Sequence, residues 1–183
     1  MSKNVVILSF SGRKEGNCAE IGRFIAQYHT NSNILTYNVG EYWTACGCCN
    51  YECLKPTETC PALTDVQRQI MDEVMSADMV YYIVPNYCGF PSANFYVFNE
   101  RSVGYFNMDR AKLKHYMDIP KKFIIVSNTE NPSFSQAMQQ QAKEPDMLFL
   151  KTSAYQKKST AGDLMMSEKA QEDLKAFLDS RPL

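Results

Sequence analysis

The stretch Ser9-Phe10-Ser11-Gly12-Arg13-Lys14-Glu15-Gly16-Asn17-Cys18 separates two segments of different hydrophobic period. Residues 4–8 before it are apolar and rich in β-branched side chains, which is typical of a buried strand. In residues 19–28 the apolar side chains recur at helical spacing. The first turn of a helix offers unpaired N–H groups and the positive end of the helix dipole. With Ser, Arg and Asn side chains as further donors, the loop between strand and helix predicts a phosphate site.

The spacing of the glycines excludes two kinds of phosphate-binding motif. A nucleoside triphosphate loop requires G-x-x-x-x-G-K-[ST], but Gly12 and Gly16 are one residue too close and Asn17 stands where the lysine would be. The dinucleotide pattern G-x-G-x-x-G is absent as well. A terminal monophosphate remains, and so does a second interpretation, in which the polar residues only cap the helix.

Composition and charge limit the protein class. A chain of 183 residues with 45% hydrophobic and 21% charged residues matches one globular α/β domain, which we expect to span residues 1–183. A net charge of −1 argues against nucleic acid or an anionic membrane as an obligate partner. The sequence has no apolar run long enough to span a membrane and enters its first strand without a signal peptide, so we expect a cytoplasmic protein.

Strands alternate with helices along the chain, which predicts a doubly wound parallel sheet of five strands in the order 2-1-3-4-5, with helices on both faces. The predicted strands are 4–8, 34–39, 79–84, 123–127 and 147–150, and the predicted helices are 19–28, 63–75, 92–101, 107–116, 135–143 and 167–179. Ligands of such sheets bind beyond the carboxyl ends of the strands. The loops 9–17, 85–90 and 127–131 should therefore meet at one edge.

The second and third of these loops carry residues suited to a flat ring. Asn86, Tyr87 and Gly89 offer polar groups, an aromatic face and room for close backbone approach, and Asn128, Thr129 and Glu130 offer further polar groups. The alternative is that these are ordinary loop residues.

The sequence resembles the flavodoxin-like NAD(P)H-dependent FMN oxidoreductases, in the branch related to iron–sulfur flavoproteins. The matching segments are 11–17, 85–93 with its P-x-Y-x-G pattern, Glu100-Arg101, and the cysteine-rich segment before Asp65. In the helix after residue 93 the chain departs from the family, because it has Asn94-Phe95-Tyr96 where a Leu-Lys pair is common.

The resemblance implies an enzyme that binds FMN without a covalent bond and passes electrons from NAD(P)H to a quinone, a second flavin, a nitro or azo compound, or a protein. It implies a homodimer or homotetramer and assigns no catalytic acid or base. The implied FMN contacts are Ser9, Ser11, Arg13, Asn17, Cys18, Pro85, Asn86, Tyr87, Cys88, Gly89, Asn128, Thr129 and Glu130.

Two other classes of function stay open. A flavodoxin-type or iron–sulfur flavoprotein electron carrier would shuttle electrons without turnover of its own, although carrier flavodoxins tend to be strongly acidic. A metal-binding or redox-sensing module could instead rest on the cysteines alone.

Five of the seven cysteines lie between positions 46 and 60, in an insert that we place at about residues 40–62. An odd number of cysteines in a reducing compartment argues against a disulfide scaffold. The spacing C-x2-C-x3-C-x6-C is close to that of iron–sulfur flavoproteins without matching it, and zinc prefers two closely spaced pairs. A [4Fe–4S] cluster, zinc and free thiols therefore stay as alternatives for Cys46, Cys49, Cys53 and Cys60.

Overall fold

A parallel sheet forms the centre of the computed structural model, which describes residues 2–42, 46–47, 49–55, 60–61, 65–128 and 133–180. Its strands are β1 (Asn4–Ser9), β2 (Asn33–Asn38), β3 (Met79–Tyr87), β5 (Lys121–Ser127) and β6 (Asp146–Lys151), and a two-residue strand β4 (Phe90–Pro91) pairs antiparallel with the end of β3. The parallel strands follow the order β2-β1-β3-β5-β6, which confirms the predicted order of the five main strands. The hairpin to β4 was not predicted.

Helices cover both faces of the sheet, as predicted. They are α1 (Asn17–Tyr28), α2 (Val66–Met75), α3 (Ala93–Phe106), α4 (Arg110–Asp118), α5 (Ser133–Met138) and α6 (Glu168–Asp179). Apolar residues of α1 and α6 pack on one face, and those of α2, α3, α4 and α5 pack on the other. Because successive side chains of a strand point to opposite faces, β3 contributes residues 79, 81 and 83 to one core and residues 80, 82 and 84 to the other.

Phe10 anchors the point where the first loop leaves the sheet. Its main-chain N–H donates to the carbonyl of Ile83 at 2.9 Å, one residue beyond the end of β1. Its buried ring stacks on Tyr82 at a centroid distance of 5.4 Å. It meets the rings of Phe95 and Phe98 edge-on at 5.4 and 5.5 Å. Loop residues after Phe10 therefore start from a position that the core fixes.

Two consecutive buried lysines begin β5 and serve opposite faces. Lys121 Nζ donates to the carbonyls of Tyr116 and Ile119, at the C-terminal end of α4. Lys122 Nζ donates to the carbonyl of Leu178 at 3.1 Å, at the C-terminal end of α6. A lysine amino group at a helix C-terminus donates to main-chain carbonyls that the helix leaves unpaired. The two lysines thus fix one helix on each face of the sheet.

Replacing Phe10 by Ala should lower the free energy of unfolding by about 3–5 kcal/mol, the usual cost of removing a fully buried aromatic ring. Urea unfolding followed by circular dichroism measures this change. The control is Tyr96→Ala, which removes a ring that is 46% exposed on α3 and should cost under about 1 kcal/mol. A similar cost for both variants would contradict the anchoring role of Phe10.

The buried Lys121, at the start of β5, predicts a pH dependence of stability. Burial lowers the pKa of Lys121 to about 7, and the charge of Asp118 opposes the shift. An unfolded lysine has a pKa of about 10.4, so between these values the unfolded chain binds more protons and the free energy of unfolding rises with pH.

Between pH 7.5 and 9, Lys121→Met should therefore reduce the slope of the unfolding free energy against pH by up to about 1.4 kcal/mol per pH unit. Urea titrations at several pH values measure the slope, and Lys175→Met on the exposed side of α6 is the matched control. If the Lys121 variant kept the full slope of the parent protein, the assignment would be wrong.

Candidate functional site

Three loops meet at the edge where the parallel strands end. Ser92 at the start of α3 donates its hydroxyl hydrogen to the carbonyl of Phe10 at 2.8 Å, which joins the first loop to the second. Asn86 Nδ2 donates to Ser127 Oγ at 2.5 Å, which joins the second loop to the third. The predicted meeting of these loops is therefore present in the structure.

The first loop ends in a helix N-terminus that is open to a ligand. Gly16 precedes α1 with φ 129° and ψ −171°, and within the described ranges no side chain caps this end of the helix. The positive φ favours glycine at this position. A Cβ on residue 16 would stand 3.7 Å from Cζ of Arg13, so the guanidinium lies beside the open end. Unpaired N–H groups next to a cation form an environment suited to an anion.

The serines of the first loop are buried and shape its backbone. Ser11 Oγ accepts a hydrogen bond from the main-chain N–H of Arg13 at 3.1 Å. Ser9 Oγ accepts from the N–H of Ser11 at 3.5 Å. A hydroxyl that accepts one bond still has its hydrogen to donate, so both side chains retain a donor.

Arg13 and Asn17 both contact a segment that the sequence does not connect with this loop. The guanidinium of Arg13 donates to the carbonyls of Ser159 and Thr160, each at 3.3 Å. The side-chain amide of Asn17 donates to the carbonyls of Lys158 and Ser159 at 3.4 and 3.3 Å. The side chain of Asn17, which is 2% exposed, thus directs its donors at the segment after β6.

Cys18 is a packed thiol. It lies in the apolar core between α1 and the sheet, and burial raises its pKa to about 12 while the charge of Arg13 opposes the shift. The side chain stays protonated at neutral pH, which does not favour a reactive thiolate. Its main-chain N–H belongs to the first turn of α1 and lies at the open helix end.

The second loop is a tight hairpin. Cys88 and Gly89 have φ values of 53° and 89°, as both central residues of a type I′ turn require. Asn86 Oδ1 accepts from the N–H of Gly89 at 2.8 Å, and Ser133 Oγ donates to the carbonyl of Gly89 at 3.0 Å. Pro85 is buried in β3, where the prediction had the loop already begin. The extra length of β3 carries the turn outward from the sheet.

An exposed aromatic pair flanks this turn. Tyr87 and Phe90 are directly paired across the hairpin, and they are 50% and 55% exposed. Cys88 between them is exposed too. A flat ligand would therefore find apolar side chains and the N–H and C=O groups of a glycine at the same edge of the sheet.

The third loop is described only at its start. Asn128 Nδ2 donates to Ser159 Oγ at 3.3 Å, and the hydroxyl of Thr152 donates to Asn128 Oδ1. Thr129 and Glu130 lie outside the described residues.

The predicted metal ligands lie together without forming a ligand set. A Cβ on Gly104 of α3 would lie 2.9 Å from Cys60 Sγ and 3.8 Å from Cys53 Cβ, so this glycine lets both cysteines approach the helix. Burial raises the pKa of the Cys53 thiol, and the neighbouring Cys60 and Cys49 add to the rise. Among the residues described, no three His, Cys, Asp or Glu side chains are placed to hold a metal ion. Cys46, Cys49, Cys53 and Cys60 form no disulfide with another described cysteine.

Two residues that contact the first loop, Gly40 and Asn94, were not identified from the sequence. Asn94 Nδ2 donates to the carbonyl of Phe10 at 3.3 Å. A Cβ on Gly40 would lie 2.6 Å from Asn94 Nδ2 and 2.6 Å from the carbonyl oxygen of Ser11, so only glycine fits after β2. The one signal in the sequence was the run Asn94-Phe95-Tyr96, where a Leu-Lys pair is common in the family that the sequence resembles.

Two cavities adjoin the sheet, and the smaller one runs between α1 and β2. One of about 330 Å³ borders the first loop, with Ser9, Arg13 and Asn38 in its lining. Another of about 830 Å³ lies where the strands begin, lined in part by Lys121 and Asp146. The smaller cavity is nearer the carboxyl ends of the strands, where parallel sheets bind ligands. No helix within the described ranges is both long and apolar enough to cross a membrane.

Comparison by sequence identifies no relative: no family model matches the chain, and no curated protein is similar to it. Comparison by structure is informative. An NAD(P)H:quinone oxidoreductase from Methanothermobacter marburgensis covers 100% of this chain and 100% of its own, with a TM-score of 0.65 at 13% identity. A flavoenzyme NAD(P)H:(acceptor) oxidoreductase from Paracoccus denitrificans covers 97% and 96%, with a TM-score of 0.57 at 13% identity. An NADH:FMN oxidoreductase in its apo form covers 99% of this chain and 91% of that one, with a TM-score of 0.57 at 9% identity.

These likenesses extend over nearly the whole length of each chain. Together with the strand order β2-β1-β3-β5-β6, they show that the protein has the flavodoxin-like α/β fold.

Proposed function

We propose that the protein is an NAD(P)H-dependent FMN oxidoreductase that passes electrons through bound flavin to a small acceptor such as a quinone, a flavin, or a nitro or azo compound. The observation that carries the proposal is the open N-terminus of α1 beside Arg13, at the edge where the hairpin 86–89 also lies. Two of the similar structures, an NAD(P)H:quinone oxidoreductase and an NADH:FMN oxidoreductase, support the same reaction class.

The described residues fit the phosphate of FMN. The main-chain N–H groups of Asn17 and Cys18, in the first turn of α1, would donate to the phosphate oxygens, with Arg13 adding charge and Ser9 and Ser11 adding hydroxyl donors. Arginine has five N–H donors, so the two bonds of Arg13 to carbonyls leave others for a phosphate. A single phosphate matches the absence of a triphosphate motif.

The flavin ring would lie along Pro85–Gly89. Bound FMN supplies the hydride and electron chemistry, and the protein supplies position and electrostatics. Asn86 orients the hairpin by accepting from Gly89 N–H, and the exposed side chains of Tyr87 and Phe90 would shield a bound ring from water. Cys88, Asn128, Thr129 and Glu130 complete the proposed surroundings. We assign no side chain the role of catalytic acid or base.

The cysteines do not fit a metal cofactor as they lie in this structure. Cys46, Cys49, Cys53 and Cys60 are described, yet they form no group that could hold an ion. We therefore derive no step through a [4Fe–4S] cluster or zinc, and the cluster stays a prediction from spacing.

We further propose a homodimer or homotetramer. Exposed apolar side chains lie together around the outer side of α3 and the start of α4, and a cavity of about 280 Å³ opens among them. Four of its lining residues are more than 40% exposed: Leu54, Val103, Met108 and Leu113. Apolar patches of this kind commonly mark association surfaces.

The purified protein should bind FMN and oxidise NADH or NADPH in the presence of a soluble quinone. Quenching of flavin fluorescence measures binding, thermal unfolding measures the stabilisation that binding supplies, and absorbance of the reduced nicotinamide measures turnover. FMN at a hundred times its Kd should add about 2.7 kcal/mol to the free energy of unfolding. Binding without oxidation of either nicotinamide would favour the electron-carrier alternative, and absence of binding would overturn the proposal.

A variant localises the site. Asn86→Ala removes the acceptor for Gly89 N–H and should weaken FMN binding up to about tenfold, since loss of a part-buried hydrogen bond costs about 0.5–1.5 kcal/mol. Asn31→Ala, in the exposed turn after α1, is the matched control and should leave the affinity unchanged. An Asn86 variant that binds FMN as tightly as the control would remove the hairpin from the site.

A further inference from the structure

The segment after β6, residues 157–164, lies against the first loop although some 147 positions separate the two in sequence. We call it the post-β6 loop. Its carbonyls at Ser159 and Thr160 hold the guanidinium of Arg13, each at 3.3 Å. Neither the glycine spacing nor the family resemblance pointed to this contact.

Asn17 holds the post-β6 loop through both the nitrogen and the oxygen of its side-chain amide. Its Nδ2 donates to the carbonyls of Lys158 and Ser159, and its Oδ1 accepts from the N–H of Leu164 at 3.0 Å. Both hydrogens of the amide are thereby used. Asn17 can thus serve a phosphate through its main-chain N–H, while its side chain holds the loop that covers the site.

The contact is closest between two glycines. Gly162 has φ 74°, and a Cβ on it would lie 3.0 Å from Cα of Gly16. Gly16 is the residue that opens the N-terminus of α1. Backbone therefore packs directly on backbone beside the proposed phosphate position, with no flexible side chain to absorb a change.

The post-β6 loop also reaches the third loop. Ser159 Oγ accepts from Asn128 Nδ2 at 3.3 Å, while the main-chain carbonyl of Ser159 accepts from Arg13 and Asn17. One residue thus links the phosphate end of the proposed FMN site to the end expected to meet the ring.

We propose that the post-β6 loop is a wall of the FMN site, and that Gly162 and the side chain of Asn17 are positioning residues for the phosphate. The inference rests on the proposed function. It specifies that the shape of residues 13–17, and with it the direction of the first-turn N–H groups, depends on the packing of Gly162 on Gly16. Flavin affinity gained through the phosphate should then depend on a loop that follows the last strand.

The test compares FMN with riboflavin, which has the same ring and no phosphate. Gly162→Ala places a methyl group 3.0 Å from Gly16 Cα at a positive φ, so the two loops must separate. We expect the Kd for FMN to rise at least tenfold and the Kd for riboflavin to change less than threefold. The matched control is Gly47→Ala, where the new Cβ would meet no described atom within 4 Å.

A merely structural role for Gly162 would change both affinities alike, or neither, and either result overturns the inference. A parent protein that binds no FMN at all overturns the proposed function together with it. If the parent protein binds FMN and the Gly162 variant keeps the same preference for FMN over riboflavin, only the inference is overturned.

A second measurement needs no variant. Trypsin cleaves after Lys157 and Lys158 in the post-β6 loop, and Lys158 is exposed. FMN should slow cleavage at these bonds at least fivefold, riboflavin should not, and cleavage after the exposed Lys114 should stay constant as an internal control. Equal protection by the two flavins, or protection by neither, would contradict the coupling of this loop to the phosphate.

Discussion

The main-chain N–H, the carbonyl and the ring of Phe10 each contact another part of the fold, and the position of the candidate site depends on these contacts. Its N–H extends the pairing of β1 with β3, its carbonyl accepts from Ser92 and Asn94, and its ring fills the core between sheet and α3. A loop can hold a ligand only if its ends are fixed, because ordering a free backbone costs about 1–2 kcal/mol per residue. Phe10 fixes one end of the first loop, and α1 fixes the other.

Some helix N-termini are capped by a side chain, and others are left open without such a cap. The N-termini of α2, α4 and α6 are capped by the side chains of Asp65, Asp109 and Ser167. Within the described part of the chain, α1 and α3 begin without a side-chain cap, the latter because the hydroxyl of Ser92 is directed to Phe10. Both open ends lie at the edge where the three loops meet. An N-terminus left without a cap is a cost unless a ligand satisfies its N–H groups, which favours an anion at this edge.

The parts of the structure that follow from local pattern could be predicted from the sequence. The apolar runs of β1, β3 and β5 have few alternatives to burial, and their alternation with helices determines the strand order. The hairpin at 88–89 escaped prediction because Cys-Gly lacks the Asn-Gly or Asp-Gly signal of a type I′ turn. The predicted strand 123–127 leaves out Lys121 and Lys122, which belong to β5 and are buried against helix ends.

Local sequence patterns do not predict contacts between segments that are distant in the chain. The loop sequence alone suggests Ser11, Arg13 and Asn17 as phosphate donors, and nothing in it shows that the side chains of Arg13 and Asn17 meet the carbonyls of residues 158–160. Cysteine spacing likewise states how far apart thiols are along the chain, not whether four sulfur atoms converge. Parts of the three predicted loops lie at one edge of the sheet, the site residues on them stay a prediction, and the contact with residues 157–164 is evident only in three dimensions.

The central claim is that the open end of α1 holds the phosphate of FMN, and a crystal structure of the protein grown with FMN tests it most directly. The account predicts phosphate oxygens within hydrogen-bond distance of the main-chain N–H groups of Asn17 and Cys18 and of the Arg13 guanidinium, with the ring along residues 85–89. A phosphate bound elsewhere, with the first turn of α1 left to water, would contradict it.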